Sequence, residues 1–388
     1  MRLCLFDGPN RTDLLPLVYT RPVADLFMGG MTLAKRWEHV LDAVAVAETE
    51  AYLQPKTPSF DVAVLAGCLP SIDLIKAIKQ LKEGQKLLYN DQLLAFRGAQ
   101  SSAADKINAL EKISFSKPVT IIRYPWDLFT HNAQAICDDA TFFEETHNNI
   151  LHDSNQHFGK HPVIVGANVS ALAATFNTTQ GPVILDDDAV VMEGSLLRGP
   201  LYVGKNSVIK MGAKVYGGTS LGENSKVGGE LNNVIFFGNS NKGHDGFLGN
   251  AVVGEWCNLG AATDASNLKN DYGEVRAWNY TQQKFIRTGL QFCGPIIGDH
   301  SKTAIHTALN TATVIGVCCN IFSTGFPRAY VPSFSRGGAQ GFAENRLDKV
   351  LETAVTVMER RAKDLSASSK LVLTYIFENT KSFRQSFL

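Results

Sequence analysis

The residue of this sequence best suited to chemistry is His244, which lies in the polar segment SNKGHDGFLG. An imidazole that titrates near neutral pH accepts the proton of an attacking amine or hydroxyl, so His244 is a candidate general base. Lys242 and Asn258 can hold a phosphate or a carbonyl, and the backbone N–H groups around Ala261 can face a developing oxyanion. A second candidate base is His306. A solvated loop histidine is the alternative for both.

A six-residue repeat leads up to this segment. Aliphatic side chains return at every sixth position, a spacing outside the periods of a helix or an ordinary strand. They are Leu185, Val191, Leu197, Val203, Ile209, Val215, Leu221 and Val227. Small residues follow most of them four positions later, as tight corners require. We predict a prism of short strands, the hexapeptide-repeat β-helix, in which stacked aliphatic residues form interior ladders.

The repeat is interrupted twice. After Val227 it shifts by two residues, and it returns later between Ile297 and Ile321. The shifted positions are Ile235, Asn241, Phe247, Val253 and Leu259, of which Asn241 is the weakest. From about residue 265 to residue 291 the sequence is polar and loses the period, so we predict a loop that leaves the scaffold. Long insertions in a regular scaffold are commonly functional.

The residues before the repeat alternate short apolar runs with helical patterns, which predicts an α/β arrangement. The chain therefore divides into an α/β domain at 1–160, a β-helix at 161–326 and a helical tail at 327–388. In the tail, apolar residues at helical spacing predict one helix at about 343–363 and another at 370–378. Four histidines near the first boundary, from His147 to His161, are interpreted as a solvated linker rather than a metal site.

Glycine and arginine follow the first predicted strand. The run RLCLF leads into DGPNR, which places Gly8, Arg11 and Arg21 near the end of that strand. Phosphates bind at this place in α/β nucleotide-binding proteins, and guanidinium groups bind phosphate oxygens in pairs. The alternative is a structural turn whose arginines pair with nearby aspartates such as Asp7 and Asp25.

Composition narrows the class of protein. The 388 residues carry 37 basic and 37 acidic side chains, so no overall positive charge favours nucleic acid. With 45% hydrophobic residues and no apolar run of about 18 residues, we expect a globular cytoplasmic protein without a membrane span. The seven cysteines are scattered, which favours reduced, buried thiols.

Several phrases of the sequence resemble the alternative bacterial form of the bifunctional enzymes that make UDP-N-acetylglucosamine, a sugar nucleotidyltransferase family. The phrases are FDGPNR, LLPLVYTRPVADL, YPWDLF, KVGGE, SNKGHDGFLG, GEWCNLGA, SNLKN, GDHSKTAIHT, NIF and VPSFS. The resemblance covers about residues 1–335. It implies a nucleotidyltransferase-like (Rossmann-like) α/β domain, a left-handed parallel β-helix, and a homotrimer whose acetyl-transfer sites lie between neighbouring prisms.

The resemblance also implies two reactions and several residue roles. Acetyl-CoA acetylates glucosamine 1-phosphate, and UTP then uridylates N-acetylglucosamine 1-phosphate with Mg²⁺. His244 matches the catalytic base of acetyl transfer, and Asn258 matches an asparagine that contacts the sugar. Ala261 matches a small residue near the acetyl group, and the loop that begins near Asn267 helps to bind the sugar phosphate. FDGPNR stands where the family has a glycine-rich loop, and Arg21 stands in for its phosphate-stabilising lysine.

The sequence departs from the better-known form of the family at some of these positions. Phe247 replaces a tyrosine, and Asn232 lies where a lysine is expected, so sugar-phosphate binding falls to Lys242, Lys269 or Arg276.

The family has a glycine followed by an Mg²⁺-binding aspartate at the end of a strand in the nucleotide site, and this sequence has Gly67 and Cys68 there. The resemblance therefore implies that Gly67 lies at the nucleotide, while Cys68 departs from the pattern. A thiol is a poor Mg²⁺ ligand, which leaves the metal ligands open among Asp91, Asp127 and Asp138. The alternative functions are a nucleotidyltransferase for another sugar 1-phosphate with a structural β-helix, and a non-catalytic sugar-nucleotide sensor or scaffold.

Overall fold

The computed structural model describes residues 1–387. These residues form two compact units. The first unit consists of Met1–Leu14, Val18–Leu26 and Met31–Tyr124, and the second consists of Leu15–Leu17, Phe27–Gly30 and the chain from Pro125 onward. None of the described helices is both long enough and apolar enough to cross a membrane.

The first unit is built on a six-stranded mixed sheet with helices, as the α/β pattern predicts. The elements up to Tyr124 are β1 (Arg2–Phe6), β2 (Phe27–Met28), β3 (Met31–Thr32), α1 (Leu33–Leu41), β4 (Val44–Glu48), β5 (Val62–Leu65), α2 (Ile72–Gln80), β6 (Gln85–Tyr89), β7 (Gln92–Phe96), α3 (Ala104–Ile107) and β8 (Glu111–Ser114). The strand order is β4-β1-β5-β7-β6-β8, and β1 pairs in parallel with both β4 and β5. Leu3, Cys4 and Leu5 are fully buried, because β1 is a central strand.

The second unit is a prism of short strands with three faces. Face 1 contains β10 (Val163–Val165), β13 (Val183–Leu185), β16 (Leu201–Val203), β19 (Thr219–Leu221), β28 (Ile296–Ile297), β31 (Val314–Ile315) and β33 (Tyr330–Val331). Face 2 contains β11 (Ser170–Ala171), β14 (Val190–Val191), β17 (Val208–Ile209), β20 (Lys226–Val227), β22 (Asn241–Lys242), β24 (Asn258–Leu259), β29 (Lys302–Thr303), β32 (Asn320–Ile321) and β34 (Ser335–Gly338). Face 3 contains β9 (Gln156–Phe158), β12 (Thr175–Asn177), β15 (Leu196–Arg198), β18 (Lys214–Val215), β25 (Asp264–Ala265) and β30 (Ala308–Leu309).

Five further strands belong to this unit. Two long strands, β21 (Glu230–Phe236) and β23 (Phe247–Val253), run from face 3 into face 1. The predicted loop contains the antiparallel hairpin β26 (Arg276–Asn279) and β27 (Lys284–Arg287), and β35 (Gly341–Glu344) pairs with β34. The chain thus leaves the prism after β25 and returns at β28.

The predicted ladders form the core of the prism. Leu185, Val203 and Leu221 lie in register on three successive face 1 strands and are fully buried. Adjacent strands are parallel on all three faces, so each coil buries the inner surface of the next. The expected parallel β-helix is confirmed.

The predicted register is wrong between Val227 and Leu248 and is correct again at Val253 and Leu259, which enter the interior. The residues that enter the interior are Leu231, Phe236, Lys242 and Leu248. The predicted residues Ile235, Asn241 and Phe247 are their outward-facing neighbours. The cause is a corner made of Gly228, Gly229 and Glu230, which is two residues shorter than the regular corners. Ile235 is nevertheless buried, because a helix covers the outside of face 1.

That helix is α4 (Pro125–Glu144). The Asn132 side chain donates to the Gly218 carbonyl at 2.7 Å and to the Ser220 hydroxyl at 2.9 Å. Phe143 packs against the ring of Tyr202, with ring centroids 5.3 Å apart. These contacts bury the outward side of face 1, while outward residues of face 3 such as Lys214 remain exposed.

The tail contains three helices, α5 (Leu347–Glu359), α6 (Ala367–Asn379) and α7 (Lys381–Gln385). The predicted start of the tail at residue 327 is too early, because β33, β34 and β35 continue the prism to Glu344. Arg361, just after α5, donates to the Asn241 side chain on the outside of face 2. Arg384 on α7 is 1% exposed and pairs with Glu344 at 3.0 Å near the end of the prism. The tail therefore packs on face 2 and on the last coil.

Candidate active sites on the prism and in the first unit

His244 lies at a corner of the prism, between face 2 and face 3. The corner runs from the end of β22 at Lys242 to the start of β23 at Phe247, and we call residues 243–246 the His244 corner. His244 and Asp245 are exposed. The Asp245 carbonyl accepts a hydrogen bond from the Ala262 N–H at 2.9 Å, and the Asp264 carboxylate accepts one from the Phe247 N–H at 2.6 Å. The next coil thus supports the corner that presents the imidazole.

Successive coils stack related residues along this edge. Ala261 lies two residues after the inward Leu259, as His244 lies two residues after the inward Lys242, so the two share one corner position. The Ala261 carbonyl in turn accepts a hydrogen bond from the His306 N–H at 2.8 Å. The structure therefore brings His244, Ala261 and the second candidate base His306 to one edge.

Asn258 lies on the outside of face 2, close to the C-terminal tail. The Asn241 side chain donates to the Asn258 side-chain oxygen at 3.5 Å, and the Arg361 guanidinium donates to the Asn241 side-chain oxygen at 2.9 Å. Sequence reasoning missed both Asn241 as an outward polar residue and Arg361. No sequence signal connects Arg361 to a residue 120 positions earlier.

Phe247 and Asn267 also come together. The Asn267 side chain donates to the Asn250 side-chain oxygen at 2.8 Å. A Cβ atom on Gly249 would lie 2.6 Å from both the Asn267 amide nitrogen and the Phe247 ring, so a larger residue there would displace these two side chains. Lys269, by contrast, pairs with Asp271 at 3.0 Å in the loop beyond.

Lys242 lies inside the prism rather than on its surface. The side chain is 1% exposed, and its ammonium donates to the carbonyls of His244 at 3.0 Å and Gly228 at 3.3 Å. Burial lowers the pKa of Lys242 from 10.5 to about 8, while the carboxylates of Asp264 and Asp245 oppose this shift. A bound sugar on the outer surface would not reach this ammonium.

The first unit contains an open cavity of about 900 Å³ at the carboxyl ends of β1 and β4. The turn between β6 and β7 closes another side of it. Its lining includes the polar residues Asp7, Asn10, Arg11, Thr12, Glu48, Thr49, Glu50, Asn90, Asp91, Gln92, Ser102 and Arg123. Ligands of α/β folds commonly bind at the carboxyl ends of strands.

Gly8 and Arg11 form part of the cavity wall. Gly8 has a φ of +70°, and a Cβ atom there would lie 2.3 Å from a methyl carbon of Leu65, so this turn requires glycine. The Arg11 Nε pairs with Asp7 at 2.7 Å, and its Nη2 donates to the Val18 carbonyl and to the Tyr52 hydroxyl. Arg11 is thus held by protein groups, as the structural alternative anticipates.

The other two residues predicted to bind nucleotide are absent from the described lining of this cavity. Arg21 is 8% exposed and lies close enough to Asp25 for their charges to interact. Gly67 follows β5, where a Cβ atom would lie 2.9 Å from the Ile122 carbonyl oxygen. Neither residue therefore belongs to the wall of this cavity as Gly8 and Arg11 do.

Comparison with known proteins agrees with this arrangement. Residues 3–148 match the family model of sugar nucleotidyl transferases. A bifunctional sugar-1-phosphate nucleotidylyltransferase/acetyltransferase from Sulfurisphaera tokodaii is 32% identical over 145 residues. The match covers 37% of this chain and 36% of that protein, so the chain spans about a third of the length of this relative.

Two solved structures of acyltransferases align with more than half of the chain. The polySia-specific acetyltransferase NeuO aligns with 54% of this chain and 99% of its own, at 12% identity and a TM-score of 0.30. UDP-N-acetylglucosamine acyltransferase from Arabidopsis aligns with 55% and 80%, at 12% identity and a TM-score of 0.24. Both TM-scores are low. The prism is defined by the pairing of its parallel strands.

In the first unit, Cys68 is absent from the lining of the cavity. It is fully buried, and burial raises the pKa of its thiol to about 12. Of the alternative metal ligands, Asp91 lines the cavity together with Glu48 and Glu50. Glu48 accepts hydrogen bonds from the Ser102 N–H at 2.9 and 3.0 Å. Carboxylate oxygens on an open cavity suit Mg²⁺, which binds proteins through one or two carboxylates plus substrate phosphates.

Asp127 and Asp138 lie on α4 in the second unit. His147, just beyond α4, was interpreted as solvated, but its side chain is only 10% exposed. Its Nε2 lies 3.0 Å from the Asp186 carboxylate, which also accepts a hydrogen bond from the Tyr202 hydroxyl at 2.6 Å. Burial raises the pKa of Tyr202, and the Asp186 charge adds to this shift. These hydrogen bonds hold His147, in the segment after α4, against Asp186 and Tyr202 on face 1.

Proposed function

We propose that this protein makes a nucleotide sugar by two transfer reactions. The prism transfers an acetyl group from acetyl-CoA to glucosamine 1-phosphate, and the nucleotidyl transferase segment transfers uridylyl from UTP to the N-acetylglucosamine 1-phosphate that results. The observation that carries the proposal is the match of residues 3–148 to sugar nucleotidyl transferases. The Sulfurisphaera tokodaii relative is named for both activities, which supports the pairing of acetyl transfer with nucleotidyl transfer.

In acetyl transfer, His244 acts as the general base. The amine nitrogen of the sugar attacks the thioester carbonyl carbon, and His244 takes the amine proton. The carbon–sulfur bond then breaks, and the departing CoA thiolate takes up this proton from His244 to leave as the thiol. Exposure of His244 supports this role, as does its place on one edge with Ala261. Asn258 on the adjacent face contacts the sugar, and Phe247 and Asn267 border the same coil.

In nucleotidyl transfer, a phosphate oxygen of the sugar phosphate attacks the α-phosphorus of UTP, and pyrophosphate leaves. The tight Gly8 turn lets backbone N–H groups approach the phosphates, and Arg11 and Asp7 hold this turn in place. Glu50 and Asp91 are the side chains that would hold Mg²⁺, which supplies charge neutralisation when bound. The remaining cavity wall positions the two substrates in line.

The acetyl-transfer site also supports a homotrimer. The edge that carries His244 also carries exposed apolar side chains, each just after an inward residue of face 2. Met211 is 69% exposed and Ile305 is 66% exposed. A neighbouring prism would cover these side chains and exclude water from the imidazole. Light scattering of the purified protein should give three times the mass of one chain, and a monomer would oppose a shared site.

Two product assays on the purified protein test the proposal. With glucosamine 1-phosphate and acetyl-CoA the protein should release CoA, and His244→Gln should abolish the release. His306→Gln is the matched control on the same edge and should retain it. With UTP, Mg²⁺ and N-acetylglucosamine 1-phosphate the protein should release pyrophosphate. Pyrophosphate release alone would assign the prism a structural role, and neither product would point to a sensor or scaffold.

A further inference from the structure

Lys242 occupies a position that the prism otherwise fills with small, apolar or hydroxyl-bearing side chains. The inward residues along face 2 are Ala171, Val191, Ile209, Val227, Lys242, Leu259, Thr303 and Ile321. Lys242 lies in register with Val227 and is 1% exposed. Burying an ammonium group costs free energy, so packing alone gives no reason for lysine here.

The Lys242 ammonium lies where two corners of unequal length meet. Residues 228–230 separate the inward Val227 from the inward Leu231, whereas residues 243–247 separate Lys242 from Leu248. The segment between Lys242 and Leu248, which contains the His244 corner, is therefore two residues longer than the matching segment in the preceding coil. The Lys242 ammonium donates to a carbonyl in each of them, Gly228 and His244.

In regular corners a backbone N–H from the neighbouring coil binds such carbonyls. The Gly212 N–H, for example, donates to the Glu193 carbonyl at 3.0 Å. The His244 carbonyl instead accepts a hydrogen bond from the Lys242 ammonium at 3.0 Å. The corner itself contains two glycines, Gly243 and Gly246, the latter with a φ of +124°, so its backbone has few steric restraints of its own.

We propose that Lys242 is a positioning residue for His244. Its buried ammonium holds the His244 carbonyl and thereby fixes the backbone that presents the imidazole, without touching substrate. This role differs from the substrate contact expected from the sequence, and it rests on the proposed function of His244 in acetyl transfer. The nearby charges of Asp245 and Asp264 favour the ammonium form and strengthen both hydrogen bonds.

The test compares Lys242→Met with Val227→Met and Leu259→Met. All three variants place methionine in the same ladder, but only the first removes the two hydrogen bonds. Amide hydrogen exchange of residues 240–250 should become about tenfold faster in Lys242→Met than in the controls, because the corner loses its fixed donor. The kcat for CoA release should fall by about tenfold, while the KM for acetyl-CoA stays within about twofold.

Thermal unfolding separates positioning from packing. Lys242→Met should unfold at the same temperature as the wild type or higher, since an apolar side chain suits the ladder. Unchanged exchange with unchanged kcat overturns the proposal. A fall in kcat that accompanies a lower unfolding temperature, with corner exchange unaffected, also overturns it. If the wild type releases no CoA, the acetyl-transfer proposal fails, and the role of Lys242 in catalysis fails with it. The amide exchange rates of residues 240–250 would still show whether Lys242 fixes the backbone of the His244 corner.

Discussion

The Arg361 guanidinium donates to the side-chain oxygen of Asn241 at 2.9 Å, which joins the C-terminal tail to the outside of face 2. Arg361 also donates to the Asn224 carbonyl one coil earlier. Asn241 in turn contacts Asn258, the residue proposed to bind the sugar. The tail is therefore connected to the proposed acetyl-transfer site through a chain of polar side chains.

Arg361→Ala should weaken sugar binding more than it weakens the fold. The Asn241 side chain loses its charged donor, so the KM for glucosamine 1-phosphate should rise by about tenfold. The KM for acetyl-CoA should change little. Arg360→Ala is the matched control, because Arg360 is the exposed neighbour. Equal KM values for the two variants would show that the tail has no part in the site.

The buried ammonium of Lys242 should make stability depend on pH. Its folded pKa is about 8, below the ordinary 10.5, so between these values the unfolded chain binds more protons than the folded chain. The penalty for burying the charge is therefore full below pH 8 and relieved as the pH rises towards 10.5. Asp245 and Asp264 partly offset this penalty.

Urea denaturation of the wild type and Lys242→Met at both ends of this range measures the effect. The excess stability of the variant should shrink by about 3 kcal/mol from about pH 7 to about pH 10.5, because a pKa shift of one unit corresponds to about 1.4 kcal/mol. All other titrating groups contribute equally to the free energy of unfolding of the two proteins, so their contributions cancel when the two values are subtracted. A constant difference would mean that Lys242 is not buried in the folded protein.

Arg384 on α7 anchors the C-terminal tail to the last coil of the prism. Arg384 donates to Thr380, to the Phe377 carbonyl and to Glu344, and its guanidinium lies 4.4 Å from the centre of the Phe377 ring. Arg384→Met leaves several buried acceptors without their donor, so the free energy of unfolding should fall by about 3 kcal/mol.

Limited proteolysis should then cut the Arg384→Met variant within α6 and α7. Lys381→Met, which changes an exposed residue of the same helix, should leave stability within about 0.5 kcal/mol of the wild type. Equal stability of the two variants would contradict the conclusion that Arg384 anchors the tail to the last coil.

The fold was predictable where local spacing determines burial. From Leu185 to Val227 every sixth residue enters the core, because strands and corners have constant length there. The register after Val227 was not predictable from hydrophobicity. A glycine corner removed two residues, and the next inward residue of face 2 is the polar Lys242. Periodicity alone cannot find a ladder position that is not apolar.

The candidate sites were predictable in part for the same reason. His244, Ala261 and Asn258 are close in sequence and fall on adjacent coils, so their proximity follows from the repeat. Arg361 reaches the same surface only because the tail packs back on face 2, a tertiary contact without a local signal. In the first unit, Gly8 and Arg11 reach the cavity, while Arg21 and Gly67 do not line it.

The Gly8 turn gives the last prediction, in which two glycines with similar backbone conformation are compared. Gly8 and Gly84 have φ values of +70° and +80°, but a Cβ atom meets Leu65 at 2.3 Å in the first case and has nothing within 4 Å in the second. Gly84→Ala should therefore cost only the backbone strain of about 1 kcal/mol, whereas Gly8→Ala should cost more and displace the cavity wall.

Urea denaturation and calorimetric titration with UTP and Mg²⁺ test both effects. The dissociation constant of UTP should rise by at least about tenfold in Gly8→Ala, because the backbone can no longer approach the phosphates closely, and should be unchanged in Gly84→Ala. Unaltered UTP binding by Gly8→Ala would place the nucleotide elsewhere in the segment. Equal losses of stability would mean that Leu65 yields to the added methyl group.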